Sequence, residues 1–111
     1  MSGAGPALEK DLVATILEAA TAMSAFVAVV GQRRAKGSGT TIGYPDLTLL
    51  CAGRTVLIEV KRPKTAEHPR GYLSLGQAAF IARALEQGVE VEVVECLDDF
   101  VRLVNRCRRR I

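Results

Sequence analysis

The pattern of apolar and polar residues along the chain predicts three helices and four strands. Apolar residues recur at helical spacing in the predicted helices Pro6–Met23, Ser74–Gln87 and Leu97–Arg108. Short apolar runs bounded by turn residues predict the strands Ser24–Gly31, Asp46–Leu50, Thr55–Lys61 and Val89–Val94. The last strand alternates valine and glutamate, so we expect one of its faces to lie towards solvent. The predicted order of elements is α-β-β-β-α-β-α.

Two of the predicted strands are joined by a tight turn, and this turn sets their register. If Ala52 and Gly53 are the two central turn residues, antiparallel partners have residue numbers that sum to 105. Asp46 and Glu59 then lie opposite each other, with Cβ atoms about 4.5–5.5 Å apart. Because side chains alternate along a strand, Lys61 lies on the same face as both carboxylates.

This group of side chains has a specific chemistry. Two carboxylates at this distance repel each other unless a cation or a proton lies between them. Oxygen ligands of this kind suit Mg²⁺ or Mn²⁺. Such a metal polarises a phosphate and lowers the pKa of a bound water. Lys61 would stabilise developing negative charge or hold the attacking hydroxide, so the pattern predicts hydrolysis of phosphodiesters.

The alternative is an ordinary salt bridge between Lys61 and the two acids on an exposed sheet face. A glutamate two residues before a lysine is common and carries little information by itself. The neighbouring residues Leu47, Leu49 and Ile58 make both strands largely apolar, as in a buried central hairpin. Two acids side by side in such a place are costly unless a ligand compensates their charge.

Length and composition set bounds on the protein. We expect residues 1–111 to form a single domain. The longest apolar stretch, Ala25–Val30, is too short to span a bilayer, and the N-terminus lacks the features of a signal peptide. A cytoplasmic location without a membrane partner is therefore expected. The three cysteines form no Cys-x-x-Cys pair and are expected to be reduced, structural thiols.

The distribution of charge indicates a polyanionic partner. The net charge is +3, and Gly31–Gly43 and Val101–Ile111 carry bases without acids, whereas Glu86–Asp99 carries six acids and no base. We therefore expect one surface to contact the phosphates of DNA. The residues expected to bind DNA are Arg33, Arg34, Lys36, Arg62 and Lys64.

Two basic segments allow a second interpretation, and one histidine is assigned to the surface. The segment from Arg33 to Lys36 is either a phosphate-binding loop or a flexible solvated one. The arginines at positions 106 and 108–110 either contact DNA or form a frayed basic tail. His68, in a basic loop with nearby prolines, is expected to be a solvated surface residue.

These residues together resemble a known family. The segments Gly43-Tyr44-Pro45-Asp46 and Glu59-Val60-Lys61, followed by Gln77 on the next helix, resemble the VRR-NUC branch of the PD-(D/E)XK nuclease superfamily. The resemblance runs from about Glu9 to about Leu103, and the order of elements is the superfamily's core with one added helix. It implies an α/β fold with a restriction-endonuclease-like core, in which helices flank a mixed β-sheet.

The resemblance also implies roles for individual residues. Asp46 and Glu59 would be metal ligands, and Val60 would add its backbone carbonyl. Lys61 would be the catalytic lysine. The family's N-terminal glutamate corresponds best to Glu9, which by its spacing lies on the core-facing stripe of the first helix. A glutamate in a first turn also interacts favourably with the helix dipole, and this is the alternative.

Gln77 allows two interpretations. Ser74-Leu75-Gly76-Gln77 has the pattern of a capping box, in which the glutamine reaches back to the first backbone N–H of the helix. By the resemblance, its amide instead contacts the scissile phosphate or a metal-bound water, which would make it a catalytic residue.

The expected function is that of a metal-dependent DNA endonuclease. No base-reading motif is evident and aromatic residues make up only 5% of the chain, so selection by DNA structure is expected. Small stand-alone members of the family, of phage and bacterial type, resemble dimeric resolvases, which implies a homodimer that cuts four-way (Holliday) junctions. The alternatives are a flap- or end-processing nuclease, a non-catalytic DNA-binding module and a protein-interaction subunit.

Overall fold

The computed structural model describes residues 7–30, 41–61 and 73–109, with side chains from residue 10 onwards. The helices are α1 (Ala7–Ala22), α2 (Leu75–Glu86) and α3 (Leu97–Arg108). The strands are β1 (Phe26–Val29), β2 (Leu47–Cys51), β3 (Arg54–Val60) and β4 (Val91–Val94). The order of elements confirms the prediction, and the observed ends differ from the predicted ones by no more than two residues.

The strands form a mixed sheet in the order β1-β2-β3-β4. The pairs β1–β2 and β2–β3 are antiparallel, whereas the pair β3–β4 is parallel. Ala52 and Gly53 have φ angles of 54° and 78°, as the two central residues of a type I′ turn require. Leu47 is paired with Ile58, so the predicted register of this hairpin is confirmed.

One face of the sheet packs against α1 and α3 and forms the core. Strand residues that point to this face are buried, among them Leu47, Leu49, Val56, Ile58, Val60 and Val94. Ile16 of α1 and Phe100 and Val104 of α3 pack into the same cluster. Leu57 and Glu59 point to the opposite face, where α2 lies beside β4. Glu59, a predicted site residue, therefore lies on the face that the core does not use.

One face of β4 was expected to lie towards solvent, but the glutamates of this segment form ion pairs with arginines of other elements. Arg106 of α3 pairs with Glu90 at 2.5 Å and with Glu92 at 3.0 Å, and Arg54 pairs with Glu90 at 2.6 Å. Burial opposes ionisation of Glu90, but the hydrogen bond with Glu92 and the charges of Arg106 and Arg54 outweigh it and lower its pKa. Burial and the hydrogen bond with Glu90 raise the pKa of Glu92. Acids and bases that are segregated along the sequence thus meet in space.

Two further features bear on the expectations from composition. Cys51 and Cys107 are buried and Cys96 is exposed, and all three are free thiols. Among the described residues, no helix has both the length and the apolar character needed to cross a membrane.

Candidate active site

Two glycines bring the N-terminus of α2 against the loop that precedes β2. Gly43 has a φ of 83°, in the left-handed region that L side chains rarely adopt, and a Cβ there would lie 2.2 Å from the carbonyl oxygen of Gly76. A Cβ on Gly76 would lie 2.8 Å from Cγ2 of Ile42. Gly43 is part of the sequence motif, but the role of both glycines depends on packing that the sequence does not reveal.

Asp46 lies where the pairing between β2 and β3 ends. Continuing the observed register by one pair places Asp46 opposite Glu59, and the next pair would join Pro45 to Val60. Pro45 has no N–H to donate. The Val60 N–H donates to Asp46 Oδ2 at 2.9 Å, and the Asp46 carbonyl accepts the Val30 N–H at 3.0 Å. Asp46 is therefore held through both its side chain and its backbone.

Glu59 is the buried acid of the site, with only 2% of its surface exposed. The side-chain amide of Gln77 donates from Nε2 to Glu59 Oε2 at 2.6 Å. The Lys61 Nζ lies 3.9 Å from the same oxygen, and the Lys61 side chain is itself 11% exposed. A carboxylate removed from water is costly without compensation, and the amide and the ammonium group supply part of it.

Gln77 performs the capping function and contacts the site at the same time. Its backbone N–H donates to Ser74 Oγ at 3.1 Å, and its Oε1 accepts the Ser74 N–H at 2.9 Å, so the predicted capping box is present. Its Nε2 is directed the other way, to Glu59. One side chain can therefore cap the helix and contact a predicted site residue, whereas the contact of its amide with a phosphate or a metal-bound water stays a prediction.

The donor set fits a hard divalent cation. Asp46 and Glu59 supply two carboxylates from facing strands. Within the described ranges, no cluster of three or more His, Cys, Asp or Glu side chains occurs. Mg²⁺ is usually bound through one or two carboxylates together with waters and substrate phosphates, so two carboxylates are sufficient for it. Val60, the expected carbonyl ligand, lies at the end of β3 beside Glu59.

Other predicted site residues fall outside what the structure describes. Glu9 lies in the first turn of α1, and its side chain is outside the described part. The expected DNA-binding residues also lie outside the described residues: Arg33, Arg34, Lys36, Arg62 and Lys64. His68 does too.

The structure does place two of the C-terminal arginines. Arg106 pairs with the glutamates of β4, and Arg108 donates to the backbone carbonyl of Met23 at the end of α1. These two arginines therefore attach α3 to the rest of the fold, which favours neither the frayed tail nor the DNA contact for them.

A comparison with solved structures identifies the fold. The structure of a VRR_NUC domain protein matches this chain with a TM-score of 0.65 and 17% sequence identity, over 87% of this chain and 84% of that one. The predicted VRR-NUC-type architecture, a mixed sheet with flanking helices, is thus confirmed as the fold. No family model matches the sequence, and no curated protein matches it at a significant level.

Proposed function

We propose that the protein is a Mg²⁺- or Mn²⁺-dependent DNA nuclease whose active site is built on Asp46, Glu59 and Lys61. The observation that carries this proposal is the buried Glu59 carboxylate, which has Lys61 and Gln77 as neighbours and Asp46 opposite it on the next strand. The likeness in fold to a VRR_NUC domain protein supports the proposal.

Each residue has a distinct task in this proposal. Asp46 and Glu59 hold the metal, with the Val60 carbonyl as a further ligand, and Glu9 is proposed to complete the set. A bound metal supplies polarisation of the phosphate and a water of lowered pKa. Lys61 stabilises the negative charge that develops on the phosphate oxygens.

Gln77 acts on the reaction through Glu59. A hydrogen bond to one carboxylate oxygen restricts the rotation of the group, and partners of this kind orient metal ligands. Because Gln77 is also hydrogen-bonded to Ser74, the N-terminus of α2 holds the Glu59 carboxylate in one orientation.

The two basic segments of the sequence are proposed to contact the DNA backbone. Arg62 directly follows Lys61 in the sequence, and the segment carrying Arg33, Arg34 and Lys36 leads into the loop before Asp46. Arg33 is also only three residues after Val30, whose N–H donates to the Asp46 carbonyl, so both segments are connected to the site by a short stretch of chain. Phosphate contacts give affinity without sequence information, so DNA binding should weaken steeply as salt is raised. Replacing Arg33, Arg34 and Lys36 by glutamine should weaken binding to all DNA substrates alike.

The proposed activity is tested by incubating the purified protein with DNA in Mg²⁺, Mn²⁺ or EDTA. Cleavage is expected with either metal and not with EDTA. Asp46→Asn and Glu59→Gln should lose both cleavage and calorimetric Mn²⁺ binding, while Glu18→Gln, on the exposed side of α1, should retain both. Cleavage in EDTA, or unchanged metal binding in Asp46→Asn and Glu59→Gln, would contradict the assignment of the ligands.

We also propose a homodimer that cuts four-way junctions, and α2 supplies the surface for it. None of the residues of α2 is buried, and its outer side carries Leu75, Ala78, Ala82 and Leu85 at coiled-coil spacing. Leu75 is 91% exposed and Leu85 is 73% exposed. The pattern is symmetric about its centre, so antiparallel pairing places Leu75 against the partner's Leu85 and alanine against alanine. A two-fold axis there gives the self-complementary contact of a symmetric dimer.

Light scattering and matched substrates test the dimer. Leu85→Glu should convert the protein to a monomer and reduce junction cleavage more than linear cleavage. Ala14→Glu, on the exposed side of α1, should leave the mass unchanged. A wild-type monomer at micromolar concentration, or equal cutting of junction, flap and linear DNA, would contradict the proposed resolvase activity but not the proposed nuclease activity.

A further inference from the structure

A cleft of about 720 Å³ lies between α2 and the sheet. Its walls are mainly apolar and include Tyr44, Leu57, Phe80 and Val89. The rings of Tyr44 and Phe80 meet edge to face, with centroids 5.0 Å apart and planes at 65°. The volume falls within the range of small-molecule binding sites, which are typically apolar with a few polar groups.

The cleft adjoins the proposed active site. Leu57, on its floor, points to the same face as Glu59 and lies two residues before it, which is about 7 Å along a strand. Tyr44, on its wall, lies two residues before Asp46. A group bound in the cleft is therefore within one nucleotide's reach of a phosphate held by the carboxylates.

Polar groups at the cleft match the other parts of a nucleotide. Arg83 is exposed on the last turn of α2 and provides a cation for a phosphate. Thr41 and Gln87 provide a hydroxyl and an amide that can pair with the edge of a base. An aromatic wall with hydrogen-bonding groups and a cation at its border is suited to a heteroaromatic ring that carries a nearby negative charge.

We propose that this cleft binds an unstacked nucleobase of the nucleotide next to the scissile phosphate. The proposal rests on the proposed nuclease function and extends it to a substrate class, DNA with unpaired bases at the cleavage site. The π-face of any base can stack on an aromatic side chain, so the cleft needs no sequence preference. Unpaired or frayed bases enter it without the cost of breaking a base pair, which favours branched over fully paired DNA.

The test compares two single strands of equal length, a fluorescein-labelled oligothymidylate and its abasic counterpart. Binding is followed by fluorescence anisotropy in EDTA, where both strands have the same backbone and neither is cut. The wild type should bind the strand with bases about tenfold more tightly. Equal affinity for the two strands, or binding of neither, would overturn the proposal.

Variants of α2 identify the cleft as the origin of this preference. Phe80→Leu keeps an apolar side chain but removes the ring, and it should bring the affinity ratio close to one. Arg83→Gln should lower the affinity for both strands by the same factor, because it removes a phosphate contact. Glu86→Gln, at an exposed position of α2 outside both the cleft lining and the proposed dimer surface, should leave the ratio unchanged. Far-UV circular dichroism and thermal unfolding establish that each variant is folded, and a tenfold ratio retained in folded Phe80→Leu would exclude the cleft.

The base-binding proposal and the nuclease proposal would be contradicted by different results. Metal-dependent cleavage of duplex DNA, without a preference for the strand with bases in EDTA, would contradict the base-binding proposal alone. A tenfold preference for that strand in EDTA, without cleavage in any metal, would contradict the nuclease proposal, and the cleft would then be only a binding site for single strands.

Discussion

Gln77 Nε2 donates a 2.6 Å hydrogen bond to Glu59 Oε2, while Gln77 Oε1 accepts the backbone N–H of Ser74. One side-chain amide thus connects the cap of α2 to the buried acid of the candidate active site. Rotating the amide would direct an oxygen at a carboxylate and a nitrogen at an N–H group, so the surroundings fix its orientation. The start of α2 and the orientation of Glu59 are therefore coupled.

Gln77→Glu separates the two roles of this residue. Glutamate at this position still completes a capping box, so helix α2 should keep its cap. The new carboxylate no longer offers an amide N–H to Glu59 and repels it unless a cation or a proton lies between them, so cleavage should fall by about 10- to 100-fold. Single-turnover cleavage and thermal unfolding measure the two effects.

Ser74→Ala is the matched variant, because it removes the cap and leaves the Gln77 amide in place. It should lower the stability by about 1 kcal/mol with a smaller loss of cleavage. If Gln77→Glu cleaved DNA at the wild-type rate, Gln77 would have only a capping function.

Gly43→Ala should separate α2 from the site. The added Cβ would lie 2.2 Å from the carbonyl oxygen of Gly76, and the φ of 83° is unfavourable for alanine. The protein should lose more than about 1–2 kcal/mol of stability, and the folded fraction should lose cleavage because Gln77 moves away from Glu59.

Gly88→Ala provides the control for backbone strain. Gly88 has a φ of 77°, but a Cβ there would meet nothing within 4 Å. It should cost about 1–2 kcal/mol and retain wild-type cleavage. Equal effects of the two substitutions on stability and cleavage, measured by urea unfolding and kinetics, would show that the contact with Gly76 is unimportant.

The ion pairs of Glu90 should make stability depend on pH. The pKa of Glu90 is lowered in the folded protein, so ionised Glu90 stabilises the fold at pH values above its ordinary pKa of 4.5. This stabilisation is lost as the pH falls through the pKa of the folded state. The pKa of Glu92 is raised, so ionisation of Glu92 opposes folding. Glu90→Gln should therefore destabilise by about 1 kcal/mol at pH 7, and the difference should shrink below pH 4.5.

Urea unfolding at a series of pH values measures this difference. Glu86→Gln, at an exposed position of α2, is the control and should behave like the wild type at every pH. A destabilisation by Glu90→Gln that stays constant from pH 7 to pH 3 would mean that the charge of Glu90 contributes nothing.

Local sequence signals account for the parts of the fold that were predicted. Ala52 and Gly53 define a two-residue turn, and the turn determines the register that places Asp46 opposite Glu59. The alternation of side chains then places Lys61 beside Glu59, and the 3.9 Å contact follows from it. Each of these inferences spans fewer than about twenty residues and needs only strand geometry.

The contacts that were not predicted join distant segments. The hydrogen bond of Gln77 to Glu59 depends on how closely α2 approaches the sheet, which Gly43 and Gly76 determine through packing. The pairing of Arg106 with the glutamates of β4 depends on the position of α3 over the sheet. A run of arginines in the sequence does not reveal which of them already have acidic partners.

The central claim is that Lys61 acts on the reaction and is not simply a structural partner of Glu59. Lys61→Met keeps most of the length of the side chain and removes its charge. Single-turnover cleavage of DNA in Mn²⁺ should fall by at least about 100-fold, as expected for loss of a group that stabilises transition-state charge. Calorimetric Mn²⁺ binding and DNA affinity should remain close to those of the wild type. Far-UV circular dichroism should show a folded protein, whose thermal stability without metal falls because Glu59 loses its ammonium neighbour. A folded Lys61→Met protein that binds Mn²⁺ and cuts DNA at the wild-type rate would contradict the assignment of this site as a nuclease centre.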